Sequence, residues 1–426
     1  MKKFIFIFIF IANAITSMSQ KVDFNKYFVD KQLRIDYIRA GSYCENYVFI
    51  YQYKIEPYWG GPKANLVDTF NFGEYRIRAF DKKTGTLIFS KTYSTLFNEW
   101  QITSQAVDLK RSFFETVTMP MPKDNIIVKF QKSNRQNNIY EDQLSVVIDP
   151  KNLDIRQGLN FNFKVVDILK NGATENKIDL VFIAEGYTIK EEKNFLKDAQ
   201  NFANYLFSYE PFKWQKNNFN IRAIFSFSAE SGTDIPQNDI WANTIVNSSF
   251  NTFGTDRYLT TFDTRNVYDI AALAPYDQVC IIVNTQKYGG GGFYNFFNLT
   301  SAQNEFSREI FVHEFGHSFG GLADEYYDTN DAIDTMYNLN IEPREPNITT
   351  LKDFGKKWKD LVDSITPIPT PSEIKYLTTV GAFEGGGYQA KGIYRPVQFC
   401  LMKELRSDFC PVCSRAIVRM IDFLTH

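Results

Sequence analysis

The apolar pattern of this chain changes character once, across Ile148–Gly158 (IDPKNLDIRQG), and the two sides cannot belong to the same kind of layer. Upstream, over residues 20–155, apolar and polar residues alternate. YRIRAFDKKTGTLIFSKTYS is two such runs around a turn at Asp81–Gly85, and DNIIVKFQ and DQLSVVIDP continue the pattern. Period-two alternation broken by turn residues predicts half-buried strands, and without any long helical periodicity they predict an all-β sandwich. This half contains no histidine and no acidic cluster with metal-ligand spacing.

Downstream the runs lengthen. IDLVFIAEGYT from Ile178 is a continuous apolar strand closed by Gly186, with a helix-start signal at Thr188. Phe195, Leu196, Ala199, Phe202, Ala203, Leu206 and Phe207 then recur at helical spacing, followed by strand candidates FNIRAIFSFS from Phe219 and YDQVCIIVNT from Tyr276. Strands alternating with helices predict a layered α/β domain with a mixed sheet. Beyond Gly320 the chain is loop-rich, interrupted by Pro343, Pro346, Pro367, Pro369 and Pro371. The expected division is a leader at 1–19, a β-sandwich domain at 20–155 and a second domain at 160–426, with no internal repeats.

The leader is MKKFIFIFIFIANAITSMSQ. Lys2 and Lys3 precede a short apolar run, and Ser17 and Ser19 stand at the small-residue positions of a cleavage site. That is a secretory signal peptide cut after Ser19, too short for a stable membrane span, with no cysteine behind it to carry a lipid. The expected protein is exported, periplasmic or extracellular, with no stable membrane anchor. Net charge is −2 over 426 residues, which excludes nucleic acid as an electrostatic partner. The 40 Phe and 24 Tyr are read as aromatic-rich β-structure rather than a sugar-binding surface.

The chain has only three histidines, and two of them stand in HEFGHSFGGLADEYYD. His313 and His317 are i and i+4 on a predicted helix, so both imidazoles can reach one ion. Glu314 beside the first ligand is the expected general base toward a zinc-activated water. The third histidine, His426, is the last residue, so the third ligand is expected to be a carboxylate: Asp324, Glu325, Asp328, Glu342 or Glu345. A glutamate on a second helix would mark a gluzincin-type site; a sharp glycine turn with a nearby ligand would mark a metzincin-type one. Gly320 and Gly321 end the helix just past His317 and permit such a turn. Asp324 is therefore the first choice and Glu325 the second, one residue of register apart. The metzincin spacing puts its ligand ten positions after the first histidine, where this chain has Ala323; Asp324 is eleven after.

Met402, in QFCLMKELRSDFCPVC, is the candidate methionine turn that floors such a site. Cys400, Cys410 and Cys413 admit three readings: a redox pair, a second zinc site lacking an evident fourth ligand, or a disulfide tying Cys400 to one of the CPVC pair. The disulfide is the preferred expectation. KYGGGGFYNF from Lys287 lacks a phosphate-loop ending and is read as a flexible stretch near an edge strand, beside which a peptide can bind by strand addition. A second glycine-rich loop, GAFEGGGYQAKGIYRP, offers Tyr388 or Tyr394 to an oxyanion.

HEFGHSFGGLADEY, FEGGGYQAKGIYRP, CLM and FCPVC together resemble the immunoglobulin-A peptidase family of bacterial metallopeptidases, over most of residues 160–426. The β-rich half is similar to the domain that precedes the catalytic one in many members. The resemblance implies a metzincin-like zinc endopeptidase, of a family common in Bacteroidetes, with one catalytic zinc on His313, His317 and Asp324, Glu314 as base and a protein or peptide substrate, a host glycoprotein included. Two other readings compete: a zinc amidase on cell-wall or glycan-linked peptides, and a non-enzymatic glycan- or protein-binding protein with a structural metal.

Overall fold

The computed structural model describes residues 21–327 and 337–426. The leader and Asp328 lie outside them. The N-terminal region is β-rich. Strands β1 (Phe28–Gly41), β2 (Asn46–Glu56), β5 (Arg111–Pro122) and β8 (Arg156–Gln157) form one sheet in the order β5-β1-β2-β8. Strands β3 (Tyr75–Asp81), β4 (Leu87–Tyr93), β6 (Ile126–Ser133) and β7 (Tyr140–Ile148) form another, ordered β4-β3-β6-β7. Pairing is antiparallel except at the short β8, which runs parallel to β2. Gly85, at φ +72°, turns β3 into β4, a conformation glycine adopts without steric cost. The two sheets share one core: Leu33 and Ile35 of β1 and Val117 and Met119 of β5 pack with Ile77 and Ala79 of β3 and Val128 and Phe130 of β6. Tyr37 crosses it, its ring 5.1 Å from Phe130 and its hydroxyl 2.7 Å from that of Tyr93.

The third sheet, central to the rest of the chain, is mixed. Its strands are β9 (Lys164–Leu169), β10 (Ile178–Glu185), β11 (Phe219–Phe225), β14 (Gln278–Val283), β15 (Gly290–Gly292) and β16 (Asn298–Ser301), ordered β15-β16-β14-β10-β11-β9. A small ribbon, β12 (Ser248–Ser249) and β13 (Thr260–Thr261), stands apart, as does a hairpin of β17 (Phe383–Gly386) and β18 (Gln389–Arg395). The inner four strands are parallel; β9 and β15 run antiparallel at the two edges. Parallel strands need cover on both faces, and every residue of β10 is buried. On one face, Leu180, Phe182 and Ala184 pack with the helix Glu192–Leu206, the helix Ser307–Gly320 that carries both histidines, and the C-terminal helix Pro411–Thr425. On the other, Val181 and Ile183 pack with the helix Thr264–Ala271 and with Leu96, Phe97, Trp100 and Phe113 from the N-terminal region. The chain is thus a mixed α/β molecule whose β-rich N-terminal region helps to close the central sheet.

The seam between the two regions is charged and dry. On β1 the apolar residues face the shared core, while Arg34 and Asp36 point the other way and are still fully buried. Arg34 donates to Asp36 (2.7 and 2.9 Å), to Glu56 (3.2 Å) and to Asp269 of the Thr264–Ala271 helix (2.7 Å). Lys54 reaches the same Asp269 oxygen at 2.7 Å. Removing one member of a buried ion network leaves uncompensated charge and costs about 3–5 kcal/mol. Arg34→Met is expected to lower unfolding free energy by about that much, read from the urea midpoint; a loss under 1 kcal/mol would show the seam is not a stabilising contact.

Candidate metal centre

The helix Ser307–Gly320 runs beneath the β15 edge of the sheet and ends where the paired glycines stop it. Gly321 caps it at φ +62°, its N–H donating to His317 O at 3.1 Å, while Leu322 N–H reaches back to Gly316 O at 3.2 Å. The double bond pattern and left-handed cap satisfy the last helix carbonyls. A Cβ on Gly321 would also lie 2.8 Å from the Phe72 ring, so no larger residue fits.

Beyond the cap the chain runs extended, and extended chains place successive side chains on opposite sides. The Asn347 amide clamps both backbone groups of Ala323, accepting from its N–H and donating to its carbonyl, each at 2.8 Å. With Ala323 held, Asp324 turns toward the helix and Glu325 away from it. Asp324 Oδ1 lies 3.1 Å from His313 Nε2 and 3.3 Å from His317 Nε2, and the two Nε2 atoms are 3.1 Å apart. Glu325 instead lies with Cys400, Cys410 and Cys413.

The other ring nitrogens settle what these atoms are. His313 Nδ1 donates to Leu401 O at 3.0 Å and His317 Nδ1 to Leu322 O at 2.6 Å. A carbonyl only accepts, so each neutral imidazole carries its proton on Nδ1 and presents a bare Nε2. Asp324 Oδ1 takes no hydrogen bond from the described residues. Three lone-pair donors therefore converge in a triangle. Ligand bonds of about 2.0–2.1 Å in a tetrahedron give edges of about 3.4 Å, close to the spacing here. The trio fits a zinc ion. A proton competes for the same place: burial lowers the His317 imidazolium, but Asp324 raises it further, to about 10. Burial raises the Asp324 carboxyl, and the two histidines outweigh it and hold it well below the usual range. A metal ion bound there would displace that shared proton.

A model of the IgA peptidase M64 family matches residues 166–378 and 372–421, and a model of the Peptidase M64 N-terminus matches residues 23–143. The chain belongs to the IgA peptidase M64 family. No curated protein matches it.

Around the trio, this M64 peptidase packs each expected residue differently. Glu314 is a helix neighbour of His313 and lies against β15: a Cβ on Gly290 would sit 2.9 Å from Glu314 Cγ, and one on Gly292 would sit 2.5 Å from Glu314 O. Gly290 and Gly292 of KYGGGGFYNF thus leave the room that Glu314 occupies. β15 is an edge strand, but its outer side is taken, by a parallel bridge between Tyr258 and Gly290. Peptide addition at that position, expected from the sequence, is closed by the protein's own chain. Burial raises the Glu314 pKa, and the histidine pair pulls it back only in part.

Met402 is fully buried beneath the helix, at a turn where Lys403 and Glu404 both donate to Cys400 O at 2.9 Å. A Cβ on Gly316, between the histidines, would lie 2.8 Å from Met402 Sδ, so glycine there lets the sulfur come up under the site. Of the two candidate tyrosines, Tyr388 reaches the trio and Tyr394 does not. Tyr394 exchanges backbone bonds with Thr349. Tyr388 donates to Asp324 Oδ2 and meets the Tyr326 hydroxyl at 3.1 Å. It sits at the tip of the β17–β18 hairpin with Gly387, both at positive φ (+63° and +56°). That is the two-residue turn that matches strand twist, with a bulky residue held in a strained conformation. Gly387 N–H binds Asp324 O at 2.9 Å and Tyr388 N–H binds Tyr326 O at 3.1 Å, which holds the hairpin to the acid segment. Glu342 and Glu345 lie away: Glu345 pairs with Tyr337 and Glu342 with Thr350.

Sequence reasoning missed Asn347 and Arg257. Asn347 had no signal, being an isolated amide in a loop. Arg257 brings positive charge toward Asp324, Tyr388 and Glu314, and only the fold places it there. Because Tyr388 fixes the outer oxygen of Asp324, Tyr388→Phe is expected to weaken zinc binding about 10- to 100-fold, measured by competition with a chromogenic chelator. Unchanged affinity would show that the hydroxyl does not orient Asp324.

Proposed function

We propose that this M64 peptidase is an exported zinc-dependent endopeptidase. The convergence of His313 Nε2, His317 Nε2 and Asp324 Oδ1 at one point is the observation that carries the reading. Three protein ligands leave a fourth position open, the pattern of a catalytic rather than a structural zinc. When bound, the ion lowers the pKa of a water and polarises a carbonyl. The chain supplies the rest. Glu314 is half-buried beside the trio with its pKa raised by desolvation, which suits a base that takes a proton from the attacking water and returns it to the leaving amine. Tyr388 keeps its proton, because burial and the Asp324 charge push its pKa well up, so its hydroxyl stays a donor. Arg257 adds fixed positive charge where negative charge develops on the substrate oxygen.

The left-handed glycine after the helix and the methionine beneath the histidines support a metzincin-like arrangement. The ligand arrives one residue later than in that pattern, and the Asn347 clamp on Ala323 absorbs the extra residue. No helix among the described residues is long and apolar enough to cross a membrane. With the leader at 1–19 this supports export, and membership of a peptidase family supports a protein or peptide substrate.

Glu314→Gln is expected to keep the zinc and lose about 10²- to 10⁴-fold in kcat on casein or a quenched peptide library. Asp324→Ala is expected to lose the equivalent held by His313 and His317. Mass-spectrometric mapping of the products distinguishes an endopeptidase from an amidase. Wild-type turnover by Glu314→Gln would refute the assigned base.

A further inference from the structure

The four groups on the far side of the acid segment form a second cluster that the catalytic reading does not use. Glu325, Cys400, Cys410 and Cys413 are all buried, and one ligand atom from each lies within 4.8 Å of the others. The sequence offered three cysteines and no fourth ligand. The alternation that sends Asp324 into the histidine site sends Glu325 here and completes the set. The three cysteines are free thiols rather than the expected disulfide.

We propose that Glu325, Cys400, Cys410 and Cys413 bind a structural zinc ion. The argument is geometric. Cys400 Sγ and Cys413 Sγ are 3.7 Å apart, and zinc–sulfur bonds of about 2.3 Å in a tetrahedron require an edge of about 3.8 Å. Glu325 Oε1 is held by Asn347 at 2.9 Å and lies 3.2 Å from Cys413 Sγ. Its other oxygen, Oε2, is an independent observation: it is buried, on a residue with no exposed surface, and has no partner among the described residues. A carboxylate oxygen left without a partner in a dry core is costly, and a cation removes the cost. Pairing any two of the cysteines as a disulfide leaves that carboxylate oxygen still without a partner among the described residues.

Four protein ligands close the site, so it has no position for a substrate, and sulfur-rich closed sites select zinc in a structural role. Two sulfurs also accept backbone N–H bonds at 3.4 Å, Cys400 from Cys410 and Cys410 from Cys413, which fixes their positions within the cluster. Arg395 and Lys403 bring positive charge toward Glu325 and balance the excess negative charge of the ligands. The ion would tie three segments together: Glu325 beside Asp324, Cys400 beside the Leu401–Met402 turn, and the first turn of the C-terminal helix, where Cys410 is the N-cap and Pro411 the first residue.

The test is metal stoichiometry on the full mature protein, purified without chelators. Wild type is expected to hold two zinc per chain, and a His313→Ala/His317→Ala variant to hold one. Reconstituted with cobalt, that double variant is expected to show a thiolate-to-cobalt charge-transfer band, and adding Cys413→Ser to weaken or abolish it. Because the cobalt spectrum is read on a chain with all its cysteines, the proposal stands or falls even where Cys413→Ser does not fold. No metal in the double variant, metal without the thiolate band, or a disulfide among the three cysteines by intact mass would each overturn it. One zinc in both wild type and double variant, with the thiolate band, would support this site while refuting the catalytic centre.

Discussion

Two adjacent carbonyls on one turn hold the active region together. Leu401 O accepts from His313 Nδ1 at 3.0 Å, and Met402 O accepts from the backbone N–H of Glu325 at 2.8 Å. The first bond fixes the tautomer of a histidine on the helix. The second fixes the height of the acid segment that follows it. Met402 itself fills the space between, its sulfur under Gly316. One short turn therefore sets the position of helix and acid relative to each other, and a triangle of lone pairs 3.1 to 3.3 Å on a side follows from it.

The β-rich region is part of the same mechanical problem. The central sheet is buried on both faces, and one of those faces is closed partly by Phe97, Trp100 and Phe113. Phe72 sits against the Gly321 cap that turns the chain toward Asp324. Cysteines near the C-terminus, a cap in the middle and a loop of the β-rich region ahead of β3 thus converge on one helix end. The cost of burying Arg34, Asp36, Glu56 and Asp269 at the seam is offset only when all are present together, which makes the orientation of the two regions specific.

How much of this was legible depends on distance along the chain. The two histidines and Glu314 lie within one and a half helical turns, so spacing alone put them on one helix. The glycine pair marked the turn, because a left-handed cap has a strong local residue preference. Strands β3, β4, β6, β10, β11 and β14 announced themselves through alternation or apolar runs. What failed to show was non-local. The alternating half of β1 reads as solvent-facing, yet Arg34 and Asp36 are buried because another region covers them. The glycines of β15 read as a docking edge, but their freedom serves Glu314 and Tyr258. From sequence the disulfide is preferred because no fourth ligand is evident beside the three cysteines, and Glu325, which lies among them, stands 75 residues before Cys400.

The choice between Asp324 and Glu325 shows why a one-residue register carries so much weight. Both are carboxylates, both are buried, and each has a cluster of soft or nitrogen donors to face. Side-chain length separates them. Asp is short, so its carboxylate stays near the backbone, and the Tyr388 bond to Oδ2 leaves Oδ1 against the imidazoles. Glu is one methylene longer and reaches the sulfurs of Cys410 and Cys413 at the start of the C-terminal helix and of Cys400 on the adjacent turn. Exchanging the two residues would crowd the histidine cluster with a longer side chain and leave the cysteine cluster short of its carboxylate, although the sequence would keep the same charge and composition. The acid segment is therefore a two-sided strip, and the direction in which Asn347 holds Ala323 decides which side faces which cluster.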